Sequence, residues 1–351
     1  MSQSKALVVR ADAGAHMGTG HVMRCLALAQ AWQDAGGQAT FMMSPGAPAL
    51  EERLQSEGMQ FVPQSVVPGT PDDAAQTVRQ AHESEASWVV VDGYQFGREY
   101  QRQLKEAGLS VLFIDDYGHT EHYCADIVLN QNIYAEESLY TSREPETQLL
   151  LGLRYALLRR EFRQWSGWQR EIAAHARKVL VTLGGGDPDN LTLQVMHALG
   201  QIAIDGLEAV VVVGGLNPHY ADLQRAAQEM PLPIRLERSV NNMPGLTAWA
   251  DVAVSAAGST CWELAFMGTP ALVIAIADNQ RPIATGLDES GAVIHLGWHE
   301  TVSSTEIAEG LNRLLTDTDT RTEMSRIGQK LVDGKGAKCI VTALSSHMVV
   351  A

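Results

Sequence analysis

The chain has 351 residues, 45% hydrophobic and 19% charged, a composition that argues against disorder and a length that suits two domains of about 150 to 180 residues. Its formal charge of −15 repels phosphate backbones and anionic surfaces, so neither nucleic acid nor a membrane is an expected partner. The N-terminus carries no signal-like apolar core and no stretch reaches the roughly 18 continuous apolar residues of a membrane span, so a cytoplasmic protein is expected.

Taken in chain order, short β-branched runs alternate with helical patterns, the signature of parallel sheets wrapped by helices. Strands are predicted over 6–10 ("ALVVR"), 38–43, 88–94 ("WVVVDGY"), 110–116 ("SVLFIDD") and 125–132, with helices over 21–35, 49–57, 72–83 and 98–107. Gly36-Gly37 ends the first helix. Between the first strand and helix, "ADAGAHMGTGH" places Gly18 and Gly20 where positive φ and close approach of a ligand are allowed. His21 then falls in the first helical turn. The partial positive charge of a helix start disfavours imidazolium, leaving a neutral ring able to accept a proton near pH 7. A general base and a histidine that merely hydrogen-bonds the loop both fit the motif; His16 is read as local structure. The end of the 88–94 run brings Asp92 and Tyr94, the phenol suited to hold a sugar substituent or a water, or to lid the core. Asp115-Asp116 lacks accompanying ligand spacing, so loop hydrogen bonding or helix capping is expected there and no metal.

The charged, Trp-containing segment 159–176 reads as the connection between domains. A second series follows: 178–186 ("KVLVTLGGG"), 208–215, 234–239, 251–259 and 270–276. "LGGGDPDNLT" offers Gly184 and Gly185 at a strand end for phosphate or sugar contact, with Asn190 and Thr192 as helix caps. "SAAGSTCWELAFMGTP" is the strongest signal in this half. Its small residues free the N–H groups of Ala257, Gly258, Ser259 and Thr260 as a diphosphate cradle without a Walker lysine, and the hydroxyls of Ser259 and Thr260 are placed to cap the next helix. Glu263, one turn on, suits the two hydroxyls of a ribose, though Thr260-x-x-Glu263 also fits a capping box. "NNMPGL" (241–246) is either a base-contacting segment or a surface loop. In "DNQRPIA" the amides of Asn279 and Gln280 follow another strand end and suit sugar hydroxyls or N-acetyl groups. "CIVTALSSHM" reads as a last helix packing back across the domain interface. Cys25, Cys124, Cys261 and Cys339 are far apart without a C-x-x-C pair, which predicts reduced thiols.

The expected architecture is α/β, two Rossmann-like domains facing a central cleft at the carboxyl ends of their strands. The N-terminal domain is expected over 1–160 with the base and sugar contacts, a second Rossmann-like domain holding the nucleotide over 161–335, and a C-terminal helix or tail over 336–351.

Together, "RADAGAHMGTGHVMRCLALA", "VVVDGY", "FIDDYG", "CADIVLNQN", "LGGGDPDNLT", "SAAGSTCWELAFMGTPALVI" and "DNQ" occur in the order found in the UDP-2,4-diacetamido-2,4,6-trideoxy-β-L-altropyranose hydrolases of pseudaminic acid biosynthesis. The chain resembles that family from about residue 5 to 300; beyond 300 the sequence is not diagnostic. The resemblance implies a glycosyltransferase B fold, akin to the lipid II-forming N-acetylglucosaminyltransferase, with the nucleotide held chiefly by the C-terminal domain. It also implies metal-independent hydrolysis of a UDP-sugar with inversion, no cofactor, and a bacterial cytosolic pathway enzyme. The family's proposed base falls on His21, and its active-site Tyr and Asn fall on Tyr94 and Asn279. A monomer is expected. The rival readings are a transferase on the same scaffold, with His21 activating a sugar hydroxyl, and a non-catalytic nucleotide-sugar binder.

Overall fold

The structure, a computed structural model, describes residues 5–14, 17–238 and 240–350; His16 and Ser239 lie outside the described residues. The chain divides into two units, one of residues 5–14, 21–160 and 335–350, the other of 17–20 and 161–334.

The first unit runs β1 (Ala6–Ala11), α1 (Gly20–Asp34), β2 (Gln38–Met43), α2 (Pro48–Ser56), β3 (Gln60–Pro63), α3 (Pro71–Glu83), β4 (Ala86–Asp92), α4 (Arg98–Glu106), β5 (Val111–Ile114), β6 (Ile127–Asn130) and β7 (Gln148–Leu151). Its strands form a parallel sheet in the order β3-β2-β1-β4-β5-β6-β7. Val89, Val90 and Val91 are wholly buried, as a strand covered on both faces requires, and each contributes about 1.5–3 kcal/mol by burial. The order reverses between β1 and β4, so the loops after these two strands open the crevice where doubly wound sheets bind ligands. His21 follows one and Tyr94 the other.

The second unit runs β8 (Lys178–Thr182), α5 (Leu191–Leu199), β9 (Glu208–Val213), α6 (Tyr220–Glu229), β10 (Ile234–Arg238), α7 (Met243–Trp249), β11 (Val252–Ala256), α8 (Thr260–Phe266), β12 (Ala271–Ala275), α9 (Arg281–Glu289), β13 (Ile294–Trp298), α10 (Ser304–Thr316) and α11 (Thr318–Leu331). Its sheet is again parallel, β10-β9-β8-β11-β12-β13. Here the switch lies between β8 and β11, so the glycine turn after β8 and the small-residue turn after β11 leave adjacent strand ends. The connecting segment is pinned to this unit by Arg170, whose guanidinium donates to the carbonyls of Thr247, Ala250 and Met267 at 2.5–3.0 Å. Burial pulls that arginine down to about 10. The last helix, α12 (Gly336–Val350), returns to the first unit, where the Trp88 indole donates to the Leu344 carbonyl at 3.2 Å.

Three predicted features differ. Residues 241–246 are not a loop: Pro244 sits in the first turn of α7, and the Asn242 side chain caps it by accepting from the Gly245 amide at 3.1 Å. Asn190 does not cap α5. It holds a left-handed φ of 54° and makes no side-chain cap, while the Asp187 carboxylate accepts from the Leu191 and Thr192 amides at 2.8 and 3.0 Å and from the Thr192 hydroxyl at 2.5 Å. A carboxylate facing three donors outcompetes a neutral amide for the helix start. Ser259, at the N-cap of α8, makes no side-chain cap because it is itself helical, with φ −59° and ψ −21°, and Thr260 is the first residue of the helix and not its cap.

Candidate active site

His21 is the second residue of α1, after a turn in which Gly18 takes a φ of +75°. A Cβ at Gly18 or Gly20 would meet nothing within 4 Å, so neither relieves a packing clash; the positive φ expected at both is found at Gly18 alone, because Gly20 is already the first residue of α1. The His21 ring is 8% exposed and stands edge-on to Tyr94, centroids 5.1 Å apart. Its Nδ1 is buried without a hydrogen-bond partner. The ring is held below the ordinary 6.5 chiefly by burial, with Arg24 adding to the effect and Asp92, Asp116 and Asp12 opposing it. Loss of hydration, not the helix start alone, therefore keeps this imidazole neutral.

Three residues further along α1, on the same face, lies Arg24, which sequence reading passed over. It is buried and joins two strand ends. Its Nε and Nη2 donate to Asp92 at 2.7 Å each, and its Nη1 donates to Asp116 at 2.7 Å. The Cys25 thiol also donates to Asp92, at 3.4 Å. Despite its burial, the arginine holds the Asp116 carboxyl far below the usual carboxylate range. Tyr94 donates to Asp116 at 2.6 Å, and burial together with Asp116 keeps the phenol protonated far above its ordinary range. Asn132 completes the carboxylate at 2.9 Å. His21, Tyr94, Asp116 and Arg24 thus form one continuous chain of contact. The signal available in the sequence was an arginine inside the apolar stretch "MRCLALA", since a buried charge requires a partner.

Asp115 takes the loop-bonding role expected of it, accepting from the amides of Asp116, Tyr117 and Gly118, from His119 Nδ1 at 3.0 Å and from the Tyr123 hydroxyl. Asp116 is instead an ion-pair partner. Among the described residues, the group able to offer a nitrogen, a sulfur and an oxygen to a metal within 4.8 Å is His122, Cys124 and Glu144; its nitrogen and oxygen already face each other at 3.1 Å.

In the second unit, Gly184 has a φ of +88°, and the Gly184-Gly185 turn packs so closely on Gly214 that a Cβ there would lie 2.3 Å from the Gly185 carbonyl oxygen. After β11 the expected cradle is narrower than the sequence implied. The Ala257 amide is spent on the Ile274 carbonyl at 3.1 Å, extending the sheet. Gly258, Ser259 and Thr260 remain at the start of α8, where the leading amides of a helix have no partner within it. Gln280 lies beside them: its Oε1 accepts from the Ile276 amide at 3.1 Å, and its Nε2 would be 3.7 Å from a Cβ on Gly258. Asn279 precedes it in a single 3₁₀ turn, Asp278–Gln280. Glu263 is buried on α8, next to Cys261, whose thiol is pushed up to about 12 by burial and by that carboxylate.

Residues 178–337 match the glycosyltransferase family 28 C-terminal domain. The spore coat polysaccharide biosynthesis protein SpsG of Bacillus subtilis is 30% identical over 227 residues, 64% of this chain and 66% of that protein. The UDP-2,4-diacetamido-2,4,6-trideoxy-beta-L-altropyranose hydrolase of Campylobacter jejuni is 27% identical over 287 residues, 81% of this chain and 97% of that protein. The chain therefore spans just under two thirds of the first relative and nearly all of the second. Among solved structures, MurG of Acinetobacter baumannii superposes with a TM-score of 0.68 at 18% identity, covering 97% of this chain and 99% of that one. HepE of Anabaena, solved in complex with UDP-glucose, gives 0.62 at 15% identity over 99% and 100%. The protein has the GT-B fold. The family 28 match falls almost wholly within its second unit.

Proposed function

We propose that the protein is a nucleotide-sugar enzyme, and specifically a hydrolase that removes UDP from UDP-2,4-diacetamido-2,4,6-trideoxy-β-L-altropyranose with inversion at the anomeric carbon, a step in pseudaminic acid biosynthesis. The observation that carries this reading is the neutral, nearly buried His21 with an unpartnered Nδ1 against Tyr94, in a chain similar to the Campylobacter hydrolase over 97% of that protein. His21 takes a proton from water as the water oxygen bonds to the anomeric carbon. The bond from that carbon to the diphosphate oxygen breaks, and UDP leaves with the electron pair. Tyr94, held protonated by Asp116, and Asn279 orient the sugar. The amides of Gly258, Ser259 and Thr260 meet the diphosphate charge, a role that needs no cation at a helix start. Gly18, Gly20, Gly184 and Gly185 give the backbone close approach to the ligand, while Glu263 and Gln280 are assigned to the nucleotide and sugar hydroxyls.

A second reading, a UDP-sugar-dependent transferase, is favoured by the family 28 match over 178–337. One assay separates them. The protein is incubated with the UDP-diacetamido sugar in the presence of a chelator, and free UDP and the product anomer are followed by NMR. The hydrolase releases UDP and an inverted free sugar without any acceptor; release only on addition of an acceptor establishes the transferase. Tight UDP binding with no release under either condition would leave a binding protein.

A further inference from the structure

Tyr117 is 43% exposed, one of few large apolar side chains among the described residues to be so, and it sits in a turn held by many hydrogen bonds. Asp115 accepts from the amide on each side of it and from its own amide at 3.1 Å. The Asp116 carbonyl just before it accepts from Asn130 at 2.6 Å and Tyr134 at 2.8 Å. Gly118, just after it, holds a φ of +75°, and a Cβ there would lie 2.6 Å from the Leu139 carbonyl oxygen, so the turn admits neither another residue nor another path. His119 is tied to the same Asp115. The Tyr117 ring stands 5.2 Å from Tyr94 and 5.8 Å from His119, one ring removed from His21. A surface tyrosine with no partner to meet does not require its backbone to be fixed by a buried carboxylate, which is expensive to desolvate, and by side chains donating to the carbonyl before it. An aromatic face fixed in advance does serve a ligand, because the ordering has been done before binding.

We propose that Tyr117 is a substrate-binding residue whose ring receives the apolar side of the sugar, its C–H face and methyl-bearing substituents, next to Tyr94 and His21. The assignment rests on the hydrolase reading and sharpens it: the sugar of a diacetamido-trideoxy substrate carries three methyl groups and few hydroxyls, so an aromatic wall selects it over sugars bearing a hydroxymethyl group.

The test is the steady-state kinetics of Tyr117→Ala and Tyr117→Phe with the UDP-sugar, together with UDP inhibition and saturation-transfer NMR of the sugar methyl signals on a His21→Asn background that binds without turning over. Tyr117→Ala is expected to raise KM about tenfold with kcat within about threefold, the signature of lost uniform binding. It should leave UDP inhibition unchanged and lose the methyl saturation transfer; Tyr117→Phe, which keeps the ring, should restore both KM and the NMR signal. An unchanged KM in Tyr117→Ala overturns the proposal. So does an equal loss of UDP affinity, which would make the ring a nucleobase contact, or a fall in kcat alone, which would make it a support for Tyr94. If the wild-type protein binds the UDP-sugar but never releases UDP, the hydrolase reading fails while the methyl signals still decide Tyr117. If it does not bind the UDP-sugar, both fall.

Discussion

The two sheets end in chemically opposite ways. At the switch of the first, the strand ends, α1 and α3 bring together two buried groups, Arg10 with Asp12 and Asp73 and Arg24 with Asp92 and Asp116, each held by ion pairs of 2.7–2.9 Å. At the switch of the second, the corresponding positions are Gly184, Gly185, Ala257, Gly258 and Ser259, with no ionic side chain among them. A lattice of buried charge fixes side chains such as Tyr94 in place and sets the protonation of their neighbours. A turn of bare backbone offers donors and keeps its surface free. On the function proposed above, the comparison teaches that proton handling and anion binding would draw on different materials, one in each unit.

The sharpest way to break this division is His21→Asn, which is expected to lower kcat by roughly 10²- to 10⁴-fold while leaving UDP affinity, measured calorimetrically, as it was. Next comes Arg24→Met. It leaves Asp92 and Asp116 without their cation in the core and is expected to destabilise the protein by about 3–5 kcal/mol, read as a fall in the midpoint of urea unfolding. Gly258→Ala probes the other unit. The new Cβ would meet only Gln280 Nε2, at 3.7 Å, so the melting temperature should hold while a methyl beside the helix-start amides weakens UDP about tenfold, equivalent to about 1.4 kcal/mol.

A finer comparison lies within the second unit. Ser303 caps α10 in a reciprocal box with Glu306, so Ser303→Ala should cost about 1 kcal/mol, whereas Ser259→Ala at uncapped α8 should leave thermal stability unmoved. The smallest expected effect is on pH. His21 titrates below 6.5, so kcat/KM should be flat through neutrality and fall only on the acid side of that value. The unfolded ring binds a proton before the folded one does, so this residue's contribution to stability is also lost as pH falls from 6.5 through the folded pKa. Asp116 favours the protonated ring, and Asp116→Asn should therefore move the acid limb further down.

The interior strands were legible because they are covered on both faces and read as unbroken β-branched runs. The strands missed, β3, β7 and β13, are three of the four rim strands with a single neighbour, and their half-exposed residues dilute the pattern that "WVVVD" displays; the fourth, β10, was read at 234–239 although it is as exposed. His21 and Tyr94 stood out because glycines and a strand end frame them locally. The Arg24–Asp92–Asp116 chain was hidden for the opposite reason: its members are separated by 68 and 92 positions, and only the strand order brings them together. The caps misled in the same way. Asn190 and Thr192 are proper cap types at plausible places, but which donor meets which acceptor depended on the left-handed turn at Asn190 and on a carboxylate upstream of it.

The return of α12 to the first unit bears on the order in which the molecule is made. On the ribosome, residues 161–334 emerge as an uninterrupted stretch and can close their sheet as soon as they are released. The earlier half must wait: the indole of Trp88 obtains its acceptor from Leu344 only after residues 161–334 have been made, so the unit bearing His21 is completed after the one inserted within it.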